Sequence, residues 1–325
     1  MSDILFWAVG DRQHGMGHVQ RSIVLADELV RRGHRCRFAT SHETPGFHRL
    51  RRSPHTTTDY HPDDLSWTRR GGDWLIVDVE GGPDRVLLEA ARPRFRKMAV
   101  IIGSGWTLRD EQAVREGADL VVCQTIAVPD EDDGYLYGAE LIMIDPRFEA
   151  CVPNPDGPIV VVFGGGDPHD LTWLAAGALL DSDVRNGREI IQVIGPAAYG
   201  TSLAESGARI VMSPDSLVDI LDGASLLIGQ FGMTAYEAAA AGVPSVLYGL
   251  SGDHASTALR LQRENAAFVA GLWDEFNKND LLDLAASILD RDETWRAMSA
   301  AGRRLIDGQG VVRVADGIEG ERDAT

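Results

Sequence analysis

The chain has 325 residues, more than one hydrophobic core usually holds, so two domains of about 150 residues each are expected. A formal net charge of −18 argues against a nucleic-acid partner, and 44 % hydrophobic with 25 % charged residues is the balance of a globular protein. No apolar run approaches the roughly 20 residues that span a bilayer, no basic and apolar leader opens the chain, and Cys36, Cys123 and Cys151 lack CxxC spacing, so the sequence reads as cytoplasmic, with no transmembrane segment, disulfide framework or zinc site.

Ile4 to Val9 is a strand-like run, followed by a glycine turn at Gly15 and Gly17 and a helix-like segment that stops near Gly33. Val19, Ile23, Ala26 and Val30 recur at helical spacing and mark its buried face. Further strands are expected at Arg35 to Ala39, Trp74 to Val79, Met98 to Ile102 and Leu120 to Cys123, with a helix at Pro83 to Ala91. Unbroken Val and Ile runs suit a parallel sheet buried on both faces. Ser41 to Gly72 is polar, rich in His, Arg and Thr, and carries only a hint of helix near Phe47 to Leu50.

Prolines and glycines between Val128 and Gly157 mark a linker, with its acidic run Asp130 to Asp133 read as a solvated turn. The boundary is placed at Pro153, giving domains 1–152 and 153–325. The second half repeats the first: strands at Ile159 to Phe163, Ile190 to Ile194, Ile210 to Met212, Leu226 to Gly229 and Pro244 to Tyr248, with helices at Leu171 to Leu180, into Ala241, His254 to Glu264, Asp280 to Asp290 and Thr294 to Ile306. The tail from Gly308 is polar and is expected to lose order past Gly317. The fold class is therefore α/β, with two Rossmann-like domains facing a cleft and ligands at the carboxyl ends of the strands.

Four glycine turns carry the chemistry. In the first, His18 stands at a helix start, where the dipole disfavours the imidazolium and keeps a neutral base for water or an acceptor hydroxyl. Asp11 and His14 are near enough in sequence to orient it, and a histidine that merely packs or caps is the structural alternative. Gln20 stands where a dinucleotide GxGxxG needs its third glycine, and no P-loop motif occurs. The second turn, Gly164-Gly165-Gly166-Asp167, permits close backbone approach, with Asp167 a cap for the next helix. The third is Gly232-Met233-Thr234: Thr234 suits a phosphate at a helix start, and Glu237 one turn later suits either the helix dipole or vicinal ribose hydroxyls. The fourth, Gly249 to His254, offers Asp253 and His254 as sugar contacts or caps.

Together these turns resemble the GT-B superfamily of nucleotide-sugar enzymes, in particular the UDP-sugar hydrolases of the pseudaminic acid pathway and their spore-coat-polysaccharide relatives, and more distantly the peptidoglycan N-acetylglucosaminyltransferase. The resemblance is carried by Gly15 to Arg21 with Leu25-Ala26, by Phe163 to Pro168 with Leu171-Thr172, and by Thr234 to Glu237 with Gly242-Val243-Pro244. It implies a UDP-sugar substrate whose nucleotide is held by Gly164, Gly165, Gly232, Met233, Thr234 and Glu237, with His18 as general base and no metal or other cofactor. Gly15, Gly17, Arg21, Asp78, Asp253 and His254 would lie on the sugar or acceptor side. Hydrolysis is the leading implication. Transfer to a sugar or small-molecule acceptor hydroxyl and non-catalytic nucleotide-sugar binding are the alternatives. The chain departs from the hydrolase pattern at Asp78-Val79-Glu80, at Gly103-Ser104 and at Asp253-His254, all on the sugar side.

Overall fold

In the computed structural model, the described residues are 1–11, 15–60, 64–103, 108–126, 134–198 and 207–320, with the side chain of Asp253 outside them. His14, Ser104 and the acidic run Asp130 to Asp133 thus lie outside the described residues. The chain forms two compact units, Met1–Met143 joined by the stretch from Gln309 on, and Ile144–Gly308.

The first unit runs β1 (Asp3–Ala8), α1 (Gly17–Arg31), β2 (Arg35–Ser41), α2 (Pro45–Arg51), β3 (Thr56–Tyr60), β4 (Gly72–Asp78), α3 (Arg85–Ala91), β5 (Phe95–Gly103), α4 (Glu111–Gly117), β6 (Leu120–Gln124) and β7 (Leu136–Tyr137). Its sheet has the order β3-β2-β1-β4-β5-β6-β7, and every pairing in it is parallel. β1 and β4 are neighbours, with Ala8 in register with Asp78 at their carboxyl ends. Ile4, Phe6, Phe38 and Ile76 face α1 on one side of the sheet, and Leu5, Leu75 and Val77 pack on the other. The buried stripe of α1 is Val19, Ile23, Leu25, Ala26 and Leu29, whereas Val30 is exposed.

The second unit runs β8 (Ile159–Val162), α5 (Leu171–Leu180), β9 (Ile190–Ile194), β10 (Ala208–Met212), α6 (Val218–Leu221), β11 (Leu226–Gln230), α7 (Met233–Ala241), β12 (Ser245–Gly249), α8 (Gly252–Arg263), β13 (Phe268–Leu272), α9 (Lys278–Leu289) and α10 (Asp292–Leu305). Its sheet has the order β10-β9-β8-β11-β12-β13, again wholly parallel. In both sheets the order turns about the first strand of the unit, the switch point where α/β sheets bind ligands beyond the strand ends.

Two expectations are corrected. The division falls at Met143/Ile144 rather than at 152/153, because the segment Pro146–Ala150 packs against α7 of the second unit. The tail past Gly308 is a helix, α11 (Gly310–Gly320), and belongs to the first unit. Val311, Val314, Ala315 and Ile318 bury its inner face in the core beside α1. Arg32 holds its outer edge through Asp316 at 2.6 Å and Glu319 at 2.7 Å, and His34 Nε2 meets Glu319 at 2.9 Å. Arg32 and Glu28 are likewise 2.7 Å apart, so the helix is fastened by a small ion-pair network. Among the described residues, no helix is long and apolar enough to cross a membrane.

Candidate functional site

In the first unit the turn after β1 brings the chain back over its own end. Asp11 and Gly15 exchange backbone hydrogen bonds of 3.2 and 2.9 Å, and Gly15 takes a φ of +73°, a left-handed conformation that a side chain would strain. Gly10 is approached by Gly46, whose N–H donates to the Gly10 carbonyl at 2.8 Å. A Cβ on Gly46 would come within 2.7 Å of that backbone. Gly17 opens α1 without a side-chain cap.

His18, Arg21 and Ser22 follow at i, i+3 and i+4, one face of α1. All three converge on Asp78 at the end of β4. Nδ1 of His18 lies 2.7 Å from Oδ1 of Asp78, Nε of Arg21 donates to Oδ2 at 2.7 Å, and the Ser22 hydroxyl donates to Oδ2 at 3.1 Å. Arg21 Nη2 completes the fork with a second bond to Oδ1. Asp78 is fully buried, and His18 and Arg21 are each 4 % exposed. Burial works to raise the Asp78 pKa, but the Arg21 guanidinium, with His18 behind it, outweighs burial and holds the carboxyl below its ordinary value.

An ionised carboxylate only accepts, so Nδ1 of His18 donates to it, and in the neutral ring the lone pair then sits on Nε2. The 2.9 Å approach of Arg21 Nη2 to the same Nδ1 is then two donors sharing one acceptor oxygen, not a bond between them. Asp78, not Asp11, is the group that orients His18. Arg21 and Asp78, expected on the sugar side, form a buried ion pair beside the His18 ring.

Contacts are also made by residues in the described part of the His- and Arg-rich stretch before β4. His55 Nε2 meets Asp27 at 2.8 Å, and Arg70 donates to the Thr58 hydroxyl at 2.7 Å.

In the second unit, the glycine turn after β8 is tight. Gly164 has φ +73°, and a Cβ on it would meet the Gln230 side chain at 2.5 Å. The Gly165 carbonyl accepts from Ala197 N–H at 2.8 Å. Asp167 accepts from the N–H groups of Leu171 and Thr172 at 2.9 and 3.0 Å and so closes the amino end of α5. Ser251 caps α8 and Asn277 caps α9 in the same way, at 3.3 and 2.9 Å.

α7 differs. Gly232 precedes it with no side-chain cap, and its first turn holds no acidic residue. α10 also lacks a side-chain cap but opens with Asp292 and Glu293, which disfavour an anion. Among the described residues, α7 is the one helix of eight or more residues in this unit whose amino end is left for an anion. Gly232 has φ 162°, ordinary extended backbone, and nothing lies within 4 Å of where its Cβ would be.

Met233, Thr234 and Glu237 share a face of α7. Glu237 is 9 % exposed, and no hydrogen bond or ion pair to it occurs among the described residues. Burial first, and the Asp145 carboxylate second, push its pKa up to about 7. The fourth turn meets the third through His254, whose ring stands edge-on to Phe231 at 6.1 Å, immediately before Gly232. Asp253 lies in the first turn of α8, and its side chain is outside the described residues.

Sequence reasoning missed Ser22 as a donor to Asp78. The i, i+3, i+4 spacing from His18 was the signal that could have found it.

The chain is similar to the spore coat polysaccharide biosynthesis protein SpsG of Bacillus subtilis, at 22 % identity over 255 residues covering 74 % of this chain and 75 % of SpsG. The crystal structure of Acinetobacter baumannii MurG superposes with a TM-score of 0.66 at 17 % identity, over 98 % of this chain and 99 % of that one. The spinosyn rhamnosyltransferase SpnG complexed with thymidine diphosphate gives 0.62 at 15 % identity, over 95 % and 96 %. The chain has the GT-B fold. No family model matches it.

Proposed function

We propose that this chain is a glycosyltransferase that takes its sugar from a nucleoside diphosphate donor, UDP favoured, in a polysaccharide or small-molecule glycosylation pathway. The observation that carries the reading is in the second unit: the amino end of α7, which has no side-chain cap, beside the buried carboxyl of Glu237. The first suits a diphosphate, and the second suits a pair of ribose hydroxyls one helical turn away. Gly232, Met233 and Thr234 line the phosphate end, with Gly164 and Gly165 on the neighbouring turn.

The first unit supplies the base. His18 Nε2 takes the proton of an acceptor hydroxyl as its oxygen bonds to the anomeric carbon. The bond from that carbon to the diphosphate breaks, and the nucleoside diphosphate leaves with the electron pair. The N–H groups of α7 offset the charge that develops on it. The likeness to SpnG, a rhamnosyltransferase complexed with thymidine diphosphate, supports transfer over the hydrolysis that the sequence motifs put first. The role of SpsG in spore coat polysaccharide biosynthesis supports the pathway class.

The test is a panel of UDP-, dTDP-, GDP- and CMP-sugars incubated with and without sugar and small-molecule acceptors. Nucleotide release that requires an acceptor is the expected result. Equal release without one means water is the acceptor and the chain is a hydrolase. Tight binding with no release under either condition overturns the enzymatic reading.

A further inference from the structure

Besides the base His18 and its orienting acid Asp78, the cluster holds a cation, Arg21. We propose that Arg21 is a positioning residue that fixes the tautomer of the His18 ring through Asp78. The inference deepens the proposed function and rests on it only for its catalytic consequence.

Asp78 is 0 % exposed, and a carboxyl that dry takes up a proton unless a cation stands beside it. A protonated carboxyl is a donor as well as an acceptor. It would offer its proton to Nδ1 of His18, the ring proton would move to Nε2, and the lone pair would point into the protein instead of toward a reacting hydroxyl. The ring would keep its position and lose its use as a base.

The guanidinium of Arg21 removes that alternative. Its Nε is 2.7 Å from Oδ2, its Nη2 reaches Oδ1, and Ser22 adds a donor to Oδ2 at 3.1 Å. With three protons already directed at the two oxygens, the carboxylate has only acceptor capacity left for Nδ1, 2.7 Å away. What keeps the carboxylate ionised is the positive charge beside it, which a lysine ammonium at the same position would also supply. Placing Arg21 three residues after His18 puts its charge on the same helical face, so one turn of α1 carries both the base and the group that sets its proton.

The experiment reads the side-chain ¹⁵N signals of His18 in the full chain, without substrate. Its resonance, one of nine histidines, is assigned by its loss in His18→Gln. Wild type is expected to carry the proton on Nδ1, Arg21→Met to move it to Nε2, and Arg21→Lys to keep it on Nδ1. In turnover assays Arg21→Met should lose about tenfold or more in kcat, with KM for the sugar nucleotide held within roughly threefold. A folded Arg21→Met protein that keeps the Nδ1 proton overturns the proposal. Should that variant not fold, a wild-type ring protonated at Nε2, or an Arg21→Lys ring that loses Nδ1–H, overturns it equally. If His18→Ala retains turnover, the catalytic reading fails while the tautomer result stands on its own spectra.

Discussion

Asp78 Oδ1 stands 2.7 Å from His18 Nδ1, although 60 positions separate the two in the chain. The contact exists because β1 and β4 are neighbours in register, so the end of β4 lies directly under the start of α1. His18→Ala should therefore cost about 10²- to 10⁴-fold in turnover, the usual worth of a general base. Nucleotide affinity should stay within a few fold, since the proposed nucleotide grip lies wholly in the second unit. Isothermal titration of the variant against UDP, alongside turnover, checks both halves.

Asp78→Asn should be costly to stability as well. It strips the counter-charge from a buried guanidinium, a change that typically destabilises by about 3–5 kcal/mol. A denaturant midpoint indistinguishable from wild type would mean that Arg21 finds another partner, which the present geometry does not offer.

Glu237 makes opposite predictions for stability and for binding. Its folded pKa, about 7, lies above the ordinary value of 4.5, so the folded state holds this proton more tightly than the unfolded chain. The associated stability is fully present below about pH 4.5 and is lost as pH rises through about 7. Above that the buried carboxylate costs on the order of 3 kcal/mol. Glu237→Gln should raise the melting temperature at pH 8 and leave it nearly unchanged at pH 4.5. Nucleotide binding through ribose hydroxyls needs the carboxylate, so wild-type affinity should climb as pH passes 7, and in the Gln variant this climb should vanish. A flat wild-type profile would count against the ribose role.

Gly232 separates the needs of the fold from those of a ligand. Its backbone is extended and its Cβ position opens onto empty space, so Gly232→Val should leave the melting temperature within about 2 °C. If a diphosphate approaches the backbone here, the same variant should lose roughly tenfold or more in nucleotide affinity, a cost of about 1.4 kcal/mol. Unchanged affinity would move the phosphate away from α7.

Ile318 tests the attachment of α11. It is 1 % exposed in the core of the first unit, so Ile318→Ala should cost about 2–5 kcal/mol. Limited proteolysis should then cut within the first unit sooner than within the second.

Most of the parallel strands were legible because strands buried on both faces leave unbroken apolar runs such as Ile159 to Val162, whereas β7 and β13 went unread. β3 was not legible either, since an edge strand reading Thr-Thr-Thr-Asp-Tyr has no such run and is defined by its pairing with β2. α11 was hidden by the glycines at 310, 317 and 320, which weaken a helical reading although Val311, Val314, Ala315 and Ile318 keep the spacing. His18 was visible from its glycine turn. Its partner was not, because the choice of Asp78 over Asp11 depends on which strands are neighbours, and strand order leaves no local trace. Glu237 was visible as a residue type, but its elevated pKa follows from burial by distant segments.

The return of α11 also dictates an order of events during synthesis. Residues 144–308 form an uninterrupted segment and can complete their core as soon as they leave the ribosome. The first unit, made earlier, must wait with the surface beside α1 uncovered until α11, residues 310–320, emerges. The half translated first is therefore the half finished last, and a nascent chain stalled anywhere before Val311 presents a first unit without its closing helix.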